Sequence, residues 1–400
     1  MKGAFIYVDA GKGHYVPAKA LYDIFIEKGH EATLENMFLM IGSEKWNKKV
    51  KNSWRHQLHY PKAERIENTI LDGSPSFYLI RFLAKIAKKN QRIFKEWYEK
   101  ERPDFIFCTN YLAAPVMTTM LRKNNIKVPL FVVGTDVFDN QKVGVSNLID
   151  IQYMPSELGV KNYIKHGFDP SVVKYSPFPL KAGMEKYSNY SKTQAREELK
   201  MEVDIPTLLL NLGGEGIGNT KFLKALVKKK KNWQVIVLGK MSCDTQRKFD
   251  KFRKNNPDFL LITPGFVNNI GLYIKACDVQ LGKTGGNAFL ESLYLKRPFF
   301  ISELLYSSKS YLEFMKEYKV GWGANGISEQ IRIIDEYVND ETKKIEMEKV
   351  MDSLPLSFDT NSFVDMIIED YRSMDTEDKL LARRERIKEC VEKNRHSKNR

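Results

Sequence analysis

Two carboxylates, a histidine and a lysine stand beside glycine-rich turns in this chain, and those residue types suggest proton transfer next to phosphate binding. Asp9 and His14 bracket DAGKGH (Asp9–His14), and Asp136 closes Gly134-Thr135-Asp136 after an apolar run. Histidine and carboxylates can take a proton near neutral pH once their surroundings tune them, and a histidine in such a loop can equally be a hydrogen-bonding fixture. A second segment, LGGEGIG (Leu212–Gly218), puts Gly213, Gly214, Gly216 and Gly218 between an apolar run and a helical pattern, with Glu215 among them. Glycines let the backbone approach a ligand closely, and the free N–H groups and dipole of the following helix favour an anion there. No Gly-Lys-Ser/Thr follows, and the spacing is not that of a dinucleotide fingerprint, so a nucleotide-linked diphosphate fits better than ATP held by its triphosphate. A third segment, GKTGGNAFLE (Gly282–Glu291), adds Lys283 and Thr284 in a loop with Gly285 and Gly286. Lys283 can neutralise a phosphate, and Glu291, one to two turns into the helix, can accept two hydrogen bonds from a ribose diol.

The elements that must carry these residues alternate between strand and helix. Strands are expected at Lys2–Val8, Glu31–Leu39, Asp104–Thr109, Pro129–Val133 and Ile151–Met154, with helices at Tyr15–Lys28, Leu112–Lys123 and Leu158–His166. Pro177, Pro179 and the polar run Lys181–Lys192 mark a linker. A second alternation follows, with strands expected at Thr207–Leu212, Trp233–Leu238, Leu260–Ile262, Val279–Leu281 and Pro298–Ile301. The chain finishes in helices at Asn361–Arg372 and Thr376–Arg400, the latter with nine basic against five acidic residues. Such alternation implies a mainly parallel sheet in each half, and ligands of such sheets lie at the carboxyl ends of the strands. Asp9, His14 and Asp136 all fall on that edge of the first half.

With 400 residues, two domains are expected: 1–178, 179–355, and a helical, basic segment at 356–400. No apolar run reaches the ~18–20 residues of a membrane span, and the first residues lack the apolar core of a signal peptide. Four scattered cysteines have no metal or redox spacing and suit a reducing cytoplasm. The net charge of +14 calls for an anionic partner. Residues 45–100 hold fourteen basic against five acidic side chains, interleaved with Trp46, Trp54, Phe77, Tyr78, Phe82, Phe94, Trp97 and Tyr98. Ammonium groups beside aromatic rings suit a lipid headgroup layer. Nucleic acid is the competing anion, but no recognition motif for it is present and it would leave the glycine loops unexplained.

Together these segments resemble the two-domain GT-B glycosyltransferases, family 28, and within it the monogalactosyldiacylglycerol synthase and diacylglycerol glucosyltransferase group. DAGKGH is similar to that group's D-T-G-G-G-H, and LGGEGIG follows its G-G-G-E-G-M-G. Leu238–Lys240, Gly265-Phe266, Ala276–Asp278 and Gly282–Glu291 fall in the family's order, and Pro155–Phe168 matches the segment before its interdomain hinge. The resemblance implies an α/β fold of two Rossmann-like doubly wound domains facing each other across a cleft. It implies an inverting transfer of a hexose from a UDP-sugar to diacylglycerol or a related membrane lipid, with no divalent metal or other cofactor. The alternatives are an N-acetylglucosaminyltransferase with an undecaprenyl-diphosphate-linked acceptor, or a degenerate nucleotide-sugar-binding protein. By the same resemblance Gly265 and Phe266 lie at the uracil, Glu291 at the ribose, and Gly213–Gly218, Gly239, Lys283, Thr284, Gly285 and Gly286 around the diphosphate. His14, Asp9 and Asp136 are then the catalytic candidates, with the choice of base open. The implied partners are a UDP-sugar and an anionic membrane surface carrying the acceptor, not nucleic acid. The implied location is cytoplasmic, peripheral on the inner face of the cell membrane. The family's P-G-Q-E-x-x-N hexose motif is replaced here by Leu305–Tyr311, Lys12 stands where the first loop has a glycine, and Asn287-Ala288 replace a glycine-threonine pair. A donor sugar other than galactose or glucose, or weak transfer, is therefore expected.

Overall fold

Ala4 and Ile6 of the first strand pack into one apolar core while Phe5 between them packs into another. A strand buried on both faces belongs to a parallel sheet covered by helices on each side. The computed structural model describes residues 1–60, 64–66, 69, 88–110, 113–139, 149–213, 220–283, 285–304, 308–324 and 326–374. The chain divides into two compact units. One comprises Met1–Trp54, Ile66–Lys181 and Pro355–Arg400, the other Arg55–Arg65 and Ala182–Leu354.

In the first unit the strands are β1 (Lys2–Tyr7), β2 (Glu31–Asn36), β3 (Phe105–Cys108), β4 (Leu130–Val133), β5 (Ile151–Met154) and β6 (Val173–Tyr175). They form a parallel sheet in the order β2-β1-β3-β4-β5-β6. The chain steps outward from β1 to β2 and then returns to the other side of β1 with β3. The strand order therefore reverses between β1 and β3, the place on the carboxyl edge where sheets of this kind bind their ligands. One face of this sheet is strongly aromatic: Phe5, Phe25, Phe105, Phe107, Phe131 and Tyr153 pack together. Helix Thr360–Ser373 closes that face with Phe363, Val364, Ile367 and Ile368, which attaches the chain's last described helix to the first unit.

The second unit repeats the scheme with β7 (Thr207–Asn211), β8 (Gln234–Leu238), β9 (Leu261–Gly265), β10 (Val279–Lys283), β11 (Phe299–Glu303) and β12 (Gly321–Gly323). The order is β12-β11-β10-β7-β8-β9, again parallel throughout, with the reversal between β7 and β10.

The elements depart from the sequence-based expectation in a few places. The strand expected at Glu31–Leu39 stops at Asn36, whose side chain accepts hydrogen bonds from the backbone N–H groups of Phe38 and Leu39 and starts a short helix at Met37–Met40. A side-chain cap of this kind ends a strand as effectively as it begins a helix. β9 continues through Pro264 to Gly265 because it is an edge strand, where a missing N–H costs no ladder bond. β6 and β12 were not expected. Each has three residues, too few for a hydrophobic period. The basic, aromatic stretch contributes helices Glu44–His59 and Lys88–Glu101, with most of what lies between them outside the described residues, as is Thr376–Arg400.

Candidate functional site

At the β1/β3 reversal the loop after β1 meets the ends of β3 and β4. Gly11 has φ +75 and backs onto Trp54, whose Nε1 would stand 2.9 Å from any Cβ added there, so a side chain would be both strained and obstructed. The turn brings His14 under the sheet edge. Its Nδ1 lies 2.9 Å from the Thr109 carbonyl oxygen and 2.8 Å from Thr135 Oγ1. A carbonyl only accepts, so Nδ1 carries the proton, and Nε2 then accepts from the Asn110 Nδ2 amide at 2.8 Å. Thr109 Oγ1 donates to the His14 carbonyl at 2.7 Å. Loss of water around the ring pushes the imidazole down to about 4, against which its bond to Thr109 acts weakly upward. His14 is therefore neutral at physiological pH, with both ring nitrogens engaged.

Asp136 directly follows Thr135. Its carboxyl is half-buried, and desolvation, followed by the nearby charge of Asp139, pushes it up to about 6. No side-chain partner satisfies it among the described residues. A carboxylate of this affinity, not already engaged, can take a proton at neutral pH. Asp9 differs: Lys51 of helix Glu44–His59 donates to its Oδ2 at 3.0 Å. Lys12 is exposed, with its ammonium 4.6 Å from the centre of the Tyr15 ring.

At the β7/β10 reversal, Asn211 and Gly282 are register partners, so the two glycine loops of the second unit leave from adjacent strand ends. The carboxyl ends of β7, β8 and β9 stay knitted together: Leu212 N donates to Leu238 O at 3.0 Å and Gly239 N to Gly265 O at 3.2 Å. Gly239 has φ +119, and a Cβ there would sit 3.1 Å from the Gly213 carbonyl oxygen, so glycine permits the turn and the close approach alike. Gly213 and Gly265 also have positive φ. Beyond Gly265, Phe266 is 73% exposed, an aromatic face open to a planar ligand. Helix Gly286–Tyr294 starts at Gly285 with no side-chain cap, and open space surrounds the Gly285 Cα. Helices Glu157–Lys165, Cys243–Asn255 and Glu341–Asp352 are instead capped by Ser156, Ser242 and Asp340. Helices Ile270–Ala276 and Ile327–Val338 also lack such a cap, so the bare start gains meaning only from its place at the reversal.

Lys283 ends β10 and makes an ion pair with Glu303 at the end of neighbouring β11, Nζ to Oε2 2.9 Å. Glu291 is 6% exposed, so it is not a solvated helix residue. Gly214, Glu215, Gly216, Gly218 and Thr284 lie outside the described residues, as does part of the replaced hexose motif at 305–307. Sequence reasoning missed Thr109, Asn110, Thr135 and Glu303. All four sit at or just past strand ends on the carboxyl edge, which is the signal that could have found them. Among the described residues, no cluster of three or more His, Cys, Asp or Glu could hold a metal ion.

A family model described as "Monogalactosyldiacylglycerol (MGDG) synthase" matches residues 14–180. The processive diacylglycerol beta-glucosyltransferase of Bacillus pumilus (strain SAFR-032) is 24% identical over 365 residues, covering 90% of this chain and 92% of that relative. Monogalactosyldiacylglycerol synthase 2, chloroplastic, of Arabidopsis thaliana is 23% identical over 360 residues, covering 84% of this chain and 74% of the relative. Among solved structures, Anabaena HepE in complex with UDP superimposes with a TM-score of 0.59 at 14% identity, over 94% of this chain and all of that one. Acinetobacter baumannii MurG gives 0.57 at 12% identity, over 92% of this chain and 100% of the other. The resemblance read from the glycine segments is thus borne out, and the fold is that of the GT-B glycosyltransferases.

Proposed function

We propose that this glycosyltransferase moves a hexose from a UDP-sugar to the hydroxyl of diacylglycerol or a related membrane lipid. The observation that carries the donor half is the pairing of Asn211 with Gly282, which puts the strand ends that precede the two glycine segments side by side, with Lys283 and an uncapped helix start following the second. Those groups suit a diphosphate, and exposed Phe266 and buried Glu291 suit the base and ribose of a nucleotide. Anabaena HepE with bound UDP has the same fold. The lipid acceptor is supported by the names of the relatives, the diacylglycerol glucosyltransferase of Bacillus pumilus among them.

In this reading Asp136 takes the proton of the acceptor hydroxyl as its oxygen bonds to the anomeric carbon. The carbon–oxygen bond to the diphosphate breaks, and the electron pair leaves on UDP. Attack opposite the leaving group inverts the anomeric centre. Lys283 and the N–H groups at the start of helix Gly286–Tyr294 stabilise the charge growing on UDP without calling on a metal. His14, neutral and bonded at both ring nitrogens, holds the ends of β3 and β4 in place beside Asp136.

We also propose that the protein acts on the inner membrane face. No helix among the described residues is long and apolar enough to cross a membrane. Helices Glu44–His59 and Lys88–Glu101 expose Lys45, Lys48, Lys49, Lys88, Lys89, Arg92 and Lys95, which anionic headgroups would attract. The test is UDP release from a panel of UDP-sugars, with vesicles of anionic lipid alone, with diacylglycerol added, or with undecaprenyl-diphosphate-linked sugar. Release that requires one sugar and diacylglycerol is expected. Release only with the undecaprenyl substrate would replace the acceptor, and UDP binding without release would leave a nucleotide-sugar-binding protein.

A further inference from the structure

The turn that carries Asp136 is gripped by a single helix. Ser156, the N-cap of Glu157–Lys165, donates its Oγ–H to the Val137 carbonyl at 2.5 Å while accepting from Gly159 N at 2.9 Å. Asn162 Nδ2 donates to the Phe138 carbonyl at 2.8 Å. His166, at the helix C-cap, places Nε2 2.7 Å from Asp139 Oδ1 and, since a carboxylate only accepts, donates to it. Three consecutive residues, 137 to 139, are therefore each held by a polar side chain of one element. Gly159 makes the approach possible, because a Cβ there would collide with the Val137 carbonyl oxygen.

We propose that the Asp139–His166 pair is a positioning device for the base: it fixes the turn that carries Asp136 and sets the charge standing beside its carboxyl group. This rests on the reading of Asp136 as the base. The charge of Asp139 acts on Asp136 in the direction that strengthens it as a base. His14 is neutral and tied to Thr135, Asp9 is paired with Lys51, and Glu157, Lys161 and Lys165 of the gripping helix are exposed. His166 keeps Asp139 in place by holding one of its oxygens at a fixed point.

The test follows the aspartate side-chain carboxyl signals of the full chain by carbon-13 NMR across pH, with Asp136 assigned by its loss in Asp136→Asn. Asp139→Asn keeps an oxygen for His166 and removes the charge. The Asp136 midpoint, about 6 in the parent, is expected to fall by about half to one pH unit. The acid limb of kcat/KM should fall with it. His166→Ala should lower both by less, and His166→Gln, which can still donate, should restore them. This titration needs no turnover, so an unchanged midpoint in Asp139→Asn overturns the proposal whatever the donor or acceptor. A midpoint that moves while the acid limb of the rate stays fixed overturns instead the assignment of Asp136 as base, and the positioning role with it.

Discussion

The two strand-order reversals share a topology but hold their polar groups in opposite ways. At β1/β3 the protein satisfies itself: His14 spends both ring nitrogens on Thr109, Thr135 and Asn110, and one helix grips residues 137–139. Asp136 is left over, half-buried, without a side-chain partner among the described residues. At β7/β10 the backbone is open instead, with positive-φ glycines at strand ends, a helix start without a side-chain cap and an aromatic ring in solvent. The contrast fits the roles proposed for the two halves. A base works at neutral pH only if a rigid, partly dry setting tunes its affinity, which requires neighbours that are already satisfied. A diphosphate site needs donors that can turn to the ligand: the start of helix Gly286–Tyr294 has no side-chain cap, and Lys283 would exchange Glu303 for the diphosphate.

The most severe way to break the comparison is to remove the group left over in the first half. Asp136→Asn is expected to lower kcat by about 100- to 10,000-fold while leaving UDP affinity, measured by calorimetry, nearly unchanged. Turnover close to the parent would move the base elsewhere.

The next effect is on stability. The His14 ring, at about 4 in the fold against an ordinary 6.5, stays neutral where the unfolded chain is charged. Its contribution is present above about 6.5 and is lost as pH falls toward 4. Asp136, raised from 3.8 to about 6, works in the other sense. The folded form binds the extra proton, so its contribution grows as pH falls through 6 and is lost as pH rises through that value. In the parent the two largely offset each other between pH 4 and 6. In Asp136→Asn only the histidine remains, and acidification from 6.5 to 4 should cost up to about 3 kcal/mol in urea unfolding relative to the parent. Equal pH dependence in the two proteins would mean that the Asp136 carboxyl is not raised in the fold.

The smallest and most diagnostic pair lies in the second half. Lys283→Ala should weaken UDP binding by about 10- to 100-fold through loss of a charge-assisted contact. Glu303→Gln should strengthen it, by about two- to fivefold, because the carboxylate now paired with Lys283 competes with the diphosphate for it. Weaker binding in Glu303→Gln would make Glu303 an orienter of the lysine rather than its competitor.

Much of this architecture was legible in the chain itself. Alternating apolar runs and helical periods required two parallel sheets, and the glycine clusters after Val8, Asn211 and Leu281 marked where backbone must turn sharply at a strand end. Those are local facts, since a residue's own side chain decides whether it can adopt positive φ, and its neighbours in sequence whether a strand continues. What the sequence left open was which of Asp9, His14 and Asp136 stays unengaged. That depends on Lys51, Thr109, Asn110 and Thr135, residues 42 to 121 positions away from the groups they bind. The same holds for Lys283, whose partner Glu303 comes from the next strand, and for Asp136, whose affinity reflects burial that no local pattern records. Sequence spacing placed the chemistry on the carboxyl edges of the strands. Only the order in which those strands lie side by side decided which groups are already paired and which are left to react.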